Sequence, residues 1–184
     1  MDTTVDILCV CTYNQTRSVL MAALLGEHLQ REGVRARISG AGTRAGGGAP
    51  MQSTVQLLAQ RGIDVRGHRG RPLDEQLVAD AHLVITAEQA HVIEIAGQWP
   101  SAFPRTFTLP ELARRISATG ARGTDTIEQW VRRLNDGRSA GLDYFDDPTV
   151  GEVADPTGRD RNTWSESFAS IDELTRRIAE ALAR

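Results

Sequence analysis

Apolar positions along this chain recur in two alternating rhythms. Val5 to Val10 is a short, mostly apolar run, β-branched at intervals and too short for a helix, and it predicts a buried strand. From Ser18 to Arg31, Leu20, Ala23, Leu24 and Leu29 form the stripe of an amphipathic helix. A second strand is expected around Arg35 to Ser39, ending in glycines. The stretch "AGGGAP" predicts a flexible turn into a helix from Met51 to Arg61, stopped by Gly62. Asp80 to Thr86 predicts a third strand, followed by a helix from about Ala87 to Ala96. Arg105 to Leu109 predicts a fourth strand, with Pro110 well placed in the first turn of the next helix.

The last third is less regular. Thr124 to Leu134 is expected to be helical, and Trp164 to Leu182 presents Phe168, Ile171, Leu174, Ile178 and Leu182 at core spacing. Between them runs "DGRSAGLDYFDDPTVGEVADPTGRDRN", a long acidic loop with two Asp-Pro steps. Loops of that length in a compact domain are usually functional or disordered.

Strands that alternate with helices imply parallel pairing and right-handed crossovers, hence an α/β three-layer sandwich. Ligands in such sheets bind beyond the carboxyl ends of the strands, which is where Cys11 falls. With 184 residues, 40% hydrophobic and 24% charged, residues 1–184 suit a single domain with a core that needs no staples.

The net charge of -3 argues against a nucleic-acid binder working by bulk electrostatics. All 21 basic residues are arginine, which carries no weight as a nucleic-acid signal. Cys9 and Cys11, at a strand and its end, are expected to point to opposite sides and to form no internal disulfide. The acidic start "MDTTVDILCV" does not read as a signal peptide, and no apolar stretch approaches the length of a membrane span. A soluble protein of the reducing cytoplasm is expected, with no membrane partner. His28, His82 and His91 show no ligand spacing with a cysteine or carboxylate cluster, so neither metal nor cofactor is expected.

The chemistry concentrates in the loop after the first strand. Cys11 and Arg17 bracket five residues, "TYNQT". A loop joining a strand to a helix aims successive backbone N–H groups of Thr12, Tyr13, Asn14, Gln15 and Thr16 into a concavity, and the helix dipole adds positive potential. A cysteine at the start of such a loop has its thiolate stabilised and becomes a nucleophile. An arginine closing it holds two oxygens of a tetrahedral oxyanion with its planar fork. Ser18 can donate to the thiolate, and Asn14 can tie the loop into its tight curve.

"ILCVCTYNQTRS" resembles the signature of low-molecular-weight protein tyrosine phosphatases, a strand followed by Val-Cys-x-Gly-Asn-x-Cys-Arg-Ser; related arsenate reductases share the loop and fold. "ISGAGT", "RGIDVRGHRGRPL" and "DAHLVIT" resemble further segments of that family. The resemblance implies a four-stranded parallel sheet in the order 2-1-3-4, flanked by helices. It implies Cys11 as nucleophile, Arg17 as phosphate clamp, Asn14 as loop-former and Ser18 as thiolate partner. His68 matches the family's histidine, expected here to be a hydrogen-bonded structural residue. The implied substrate is a phosphorylated protein or a small phosphomonoester, attacked to give a cysteinyl-phosphate.

The chain departs from that pattern. Tyr13 stands in place of a glycine and Thr16 in place of the second loop cysteine. Gln15 is neither the aliphatic residue of tyrosine phosphatases nor the threonine of arginine phosphatases. The segment from about Gln98 to Val150 is longer than usual.

A thiolate displaces an alkoxide from phosphorus only if the leaving oxygen gains a proton, and the family supplies it from an Asp-Pro step. Asp147-Pro148 and Asp155-Pro156 both qualify. Trp164 follows Asp155 by nine residues, the family's spacing from acid to first core aromatic, and "EVADPTG" fits its frame better than "YFDDPTV". Asp155 is therefore the expected acid. Thr157 replaces the tyrosine that usually follows, so either the aromatic wall comes from Tyr13 or Tyr144 or the substrate is not phosphotyrosine. Two other functions stay open: arsenate reduction with an external thiol or redoxin, since no cysteine follows Cys11, and non-catalytic phosphate binding. The oligomeric state is left open.

Overall fold

The structure, a computed structural model, describes residues 4–184. Four strands, β1 (Val5–Cys11), β2 (Ala36–Gly42), β3 (Leu83–Thr86) and β4 (Thr106–Thr108), form one sheet in the order β2-β1-β3-β4. All three pairings are parallel, with Val10 of β1 level with Ala41 on one side and Thr86 on the other. β1 is thus central, which explains its near-continuous apolar run: buried on both faces, it has no solvent side to alternate with.

Its odd-numbered residues, Val5, Ile7, Cys9 and Cys11, join one core layer with α1 (Arg17–Arg31), α5 (Leu109–Thr119) and α8 (Arg161–Ala183). Leu8 and Val10 join the opposite layer with α3 (Glu75–Asp80) and α4 (Gln89–Gln98). Cys9 and Cys11 therefore share a face, against the sequence expectation, because side chains alternate with a period of two and residues two apart point the same way. Both are nonetheless free thiols. Full burial pushes the Cys9 thiol up to about 12.

The predicted boundaries shift where caps decide them. The third strand starts at Leu83, since Asp74 caps the Leu77 N–H at 2.8 Å and Asp80, expected in the strand, ends α3. The last helix starts at Arg161, capped by Asp160 on the Thr163 N–H at 2.9 Å. α2 (Gln52–Ala59) ends two residues before the expected Arg61, and Gly62 closes the turn that follows it with the left-handed backbone at φ 75°.

The long segment before α8 is built from α6 (Ile127–Asn135), the single turn α7 (Leu142–Phe145) and loops pinned to the core. Its pin is Arg138. The guanidinium donates to Glu111 at 2.7 and 3.0 Å, with both side chains 1% exposed, and lies against the rings of Phe103, Phe107 and Tyr144. Tyr144 donates its hydroxyl to the same carboxylate at 2.9 Å. Burial, with the Glu111 charge, raises the Tyr144 hydroxyl above its ordinary value. Tyr144 is therefore a core residue and not a substrate wall.

Candidate active site

The loop between β1 and α1 is shaped by one residue more than any other. Asn14 takes φ 53°, the one left-handed non-glycine backbone among the described residues. Its side chain holds that turn from both ends. Nδ2 donates to Ser18 Oγ at 2.8 Å, and Oδ1 accepts the Arg71 N–H at 3.2 Å. His68 Nε2 meets the Asn14 carbonyl at 2.8 Å, which bears out a structural histidine. Two glycines let neighbouring backbone come this close. A Cβ on Gly42 would stand 2.6 Å from the Thr12 carbonyl, and one on Gly70 would stand 2.7 Å from that of Tyr13. The motifs "ISGAGT" and "RGHRGRPL" thus form the outer wall of the loop.

Cys11 ends β1, 3% exposed, with Sγ 3.1 Å from Ser18 Oγ. Because Asn14 already donates to that oxygen, the hydroxyl proton of Ser18 is free to point at the sulfur. Thr16 precedes α1 but makes no side-chain cap, and the first turn carries no acid. The leading N–H groups of α1 are left to an anion.

Arg17 is buried, 2% exposed, yet its fork is aimed. Nη1 pairs with Glu88 and donates to the Val153 carbonyl at 3.2 Å; Nη2 stands 3.0 Å from Asp155 Oδ2. Asp155 arrives through backbone. The Val153 N–H donates to the Ala87 carbonyl at 2.8 Å, tying the late loop to the end of β3, and Ser167 Oγ holds the Ala154 carbonyl at 3.1 Å. The Thr157 N–H then donates to Asp155 Oδ1 at 3.0 Å. A narrow cleft of about 40 Å³ results, lined by Cys11, Arg17, Tyr13, Met51, Asp155 and Thr157. Thr12, Gln15 and Thr16 complete its walls, while Asn14 and Ser18 stand behind them, fully buried.

Asp147 is not brought to this cleft. It accepts from Ser139 Oγ at 3.1 Å and from the N–H and hydroxyl of Thr149 at 2.9 and 2.6 Å, bonds that hold its carboxyl below the usual range.

Two residues that the sequence reading did not place here, Glu88 and His91, join the site. Glu88 follows β3 and caps α4 in a reciprocal box with His91. The Glu88 N–H donates to His91 Nδ1 at 3.2 Å, so the neutral ring carries its proton on Nε2 and donates to Thr12 Oγ1 at 3.1 Å. Burial lowers the His91 pKa and favours that neutral form. The one clue in sequence is position: Glu88 follows a strand's carboxyl end, where α/β sites gather.

A thiol and a guanidinium facing each other over a helix-capping loop equip a protein to attack and hold a tetrahedral phosphoryl group. The fold and site define a cysteine-dependent phosphatase. The family model for low molecular weight phosphotyrosine protein phosphatase matches residues 6–117, and the chain belongs to that family. The Protein-arginine-phosphatase of Bacillus subtilis is 27% identical over 97% of this chain and 97% of its own length. The "Probable low molecular weight protein-tyrosine-phosphatase EpsP" of Ralstonia nicotianae is 35% identical over 58% of this chain and 71% of its own. Among solved structures, YwlE arginine phosphatase with a phosphorylated active site serine in place of cysteine superimposes with a TM-score of 0.71 and 25% identity. That match covers 96% of this chain and 94% of the other.

Proposed function

We propose that this phosphatase hydrolyses protein phosphotyrosine in the cytoplasm, through a phosphoryl group carried on Cys11. One observation carries the reading: Cys11, its Ser18 partner, the fork of Arg17 and the carboxyl of Asp155 converge on a single cleft. An incoming phosphate takes the N–H groups of Arg17 and of the loop, and Asp155 is released toward the leaving oxygen. Once away from Arg17, Asp155 takes a proton from solvent; Cys11 Sγ attacks phosphorus in line as thiolate, the bond to the leaving oxygen breaks, and that oxygen takes the proton from Asp155. Ser18 supports the sulfur as thiolate. In the second half, water attacks phosphorus and gives its proton to Asp155. The S–P bond breaks, and phosphate leaves.

For the substrate, the rim is informative. Tyr13 and Met51, 58% and 37% exposed, are two of the four exposed large hydrophobics among the described residues, and both stand on this cleft. They offer flat apolar surface to a phenyl ring. A second reading, phosphoarginine, is favoured by the Bacillus subtilis relative, whose match spans the Asp155 loop that lies beyond the family model. Matched phosphotyrosine and phosphoarginine peptides separate the two: a higher kcat/KM on phosphoarginine overturns the tyrosine reading. Rapid acid quench and mass spectrometry should find one phosphoryl group on Cys11; hydrolysis with no such adduct overturns the intermediate.

A further inference from the structure

A second depression adjoins the cleft. It is a groove of about 400 Å³ between α2 and the start of α8, lined by Ser53, Gln56, Gln60, Arg159, Arg161 and Ser165 with two apolar neighbours. No carboxylate lines it. Most other arginines of this chain are committed to acids or carbonyls, Arg17, Arg37, Arg61, Arg66, Arg133 and Arg138 among them, and apart from Arg35 and Arg132 the described residues leave few guanidinium groups free. The side chains of Arg159 and Arg161 make no hydrogen bond or salt bridge among the described residues, and Asp160 between them is turned to cap Thr163 through Oδ1. A groove with two uncommitted guanidinium groups and amide and hydroxyl donors is built for anionic oxygens.

Its place relative to the chemistry follows from the chain. Met51 and Thr157 line the cleft, Ser53 and Arg159 line the groove, and each pair is two residues apart. At 3.3–3.6 Å per residue the depressions lie within about 7 Å along their shared walls. An extended peptide with its phosphorylated residue in the cleft reaches the groove with a side chain two or three positions away.

We infer that this groove is an anion subsite for the phosphoprotein substrate: it takes a carboxylate or a second phosphate carried near the phosphorylated residue. The inference rests on the phosphotyrosine reading above and names the substrate's class within it, a phosphorylated site in an acidic context.

The test uses four phosphotyrosine peptides, identical except for alanine, glutamate, phosphoserine or lysine at the second and third positions on either side, with p-nitrophenyl phosphate as the small substrate. The wild type should favour the acidic peptides over alanine by about threefold to tenfold in kcat/KM, the scale of two exposed charge pairs. Glutamate against phosphoserine shows which anion the groove prefers. Arg159→Gln with Arg161→Gln should remove that preference and leave p-nitrophenyl phosphate turnover unchanged. Arg159→Glu with Arg161→Glu should reverse it, so that a lysine peptide becomes the better substrate, a gain that structural damage does not produce. Equal turnover of acidic and alanine peptides by the wild type, or a preference that survives in the double glutamine variant, overturns the subsite and leaves the phosphotyrosine reading intact. Turnover of p-nitrophenyl phosphate with none of any phosphotyrosine peptide overturns both.

Discussion

Arg17 and Asp155 stand 3.0 Å apart, Nη2 to Oδ2, joining the first loop of the chain to its last. Their separation in sequence conceals the contact, and their charges explain it. In this arrangement the carboxylate occupies the guanidinium edge that the proposed mechanism gives to an oxyanion. Asp155→Asn should lower kcat/KM on phenyl phosphate, a poor leaving group, by about 10²–10⁴-fold, and far less on an aryl phosphate whose leaving group barely needs a proton. Asp147→Asn should change neither. The reverse pattern in steady-state kinetics would move the acid to Asp147.

Arg17→Lys keeps the charge and loses the two-pronged geometry. Turnover should fall by orders of magnitude, and vanadate, a tetrahedral oxyanion probe, should bind more weakly. A lysine variant with near-normal kcat would show that charge alone suffices.

Asn14 combines a left-handed backbone with two buried side-chain bonds. Asn14→Ala removes both bonds and keeps the backbone demand, so kcat/KM should drop by about 10²-fold, as displacement of a catalytic loop by about 1 Å can do. Asn14→Gly relieves only the backbone. It should melt above the alanine variant and still turn over poorly; full activity in the glycine variant would make the side-chain bonds dispensable.

Glu111 and Arg138 are both 1% exposed, and removing Arg138 leaves the buried Glu111 carboxylate with only the longer Arg115 contact at 3.4 Å for a counter-ion. Arg138→Met should destabilise the protein by about 3–5 kcal/mol, lowering Tm by about 6–20 °C. Since the pair lies away from the cleft, kcat on p-nitrophenyl phosphate below the transition should not move. A Tm shift near zero in a thermal melt would mean that the segment around α7 is held by other contacts.

His91 sets a pH window. Its pKa in the folded chain lies below the ordinary 6.5, so the unfolded chain binds the proton more readily. The stabilising contribution is whole above 6.5 and is lost as pH falls from there through the lowered folded value. Asp6, Asp64 and Asp172, held below 3.8 by arginine and histidine partners, lose theirs only at more acid pH. Denaturation from pH 7 to 4.5 should show stability falling in wild type and a flatter profile in His91→Asn. Equal slopes would assign the loss to another group.

By itself the sequence determined what is local. The alternation of buried strands and amphipathic helices, the loop from Cys11 to Arg17 and the stop at Gly62 all follow from neighbouring residues, because hydrophobic period, capping and backbone freedom act over a few positions. Local misreadings remained: Asp80 ends α3 where a strand was expected, and Cys9 and Cys11 share a face although the strand period was enough to decide it. Only the tertiary structure could bring Glu88 and Asp155 to the two arms of Arg17, retire Tyr144 into the core and fasten the long segment through Arg138 to Glu111. Each of those contacts joins residues distant in the chain. Their partners are set by how the sheet and helices pack, since a buried charge must find its counter-ion wherever the fold places one.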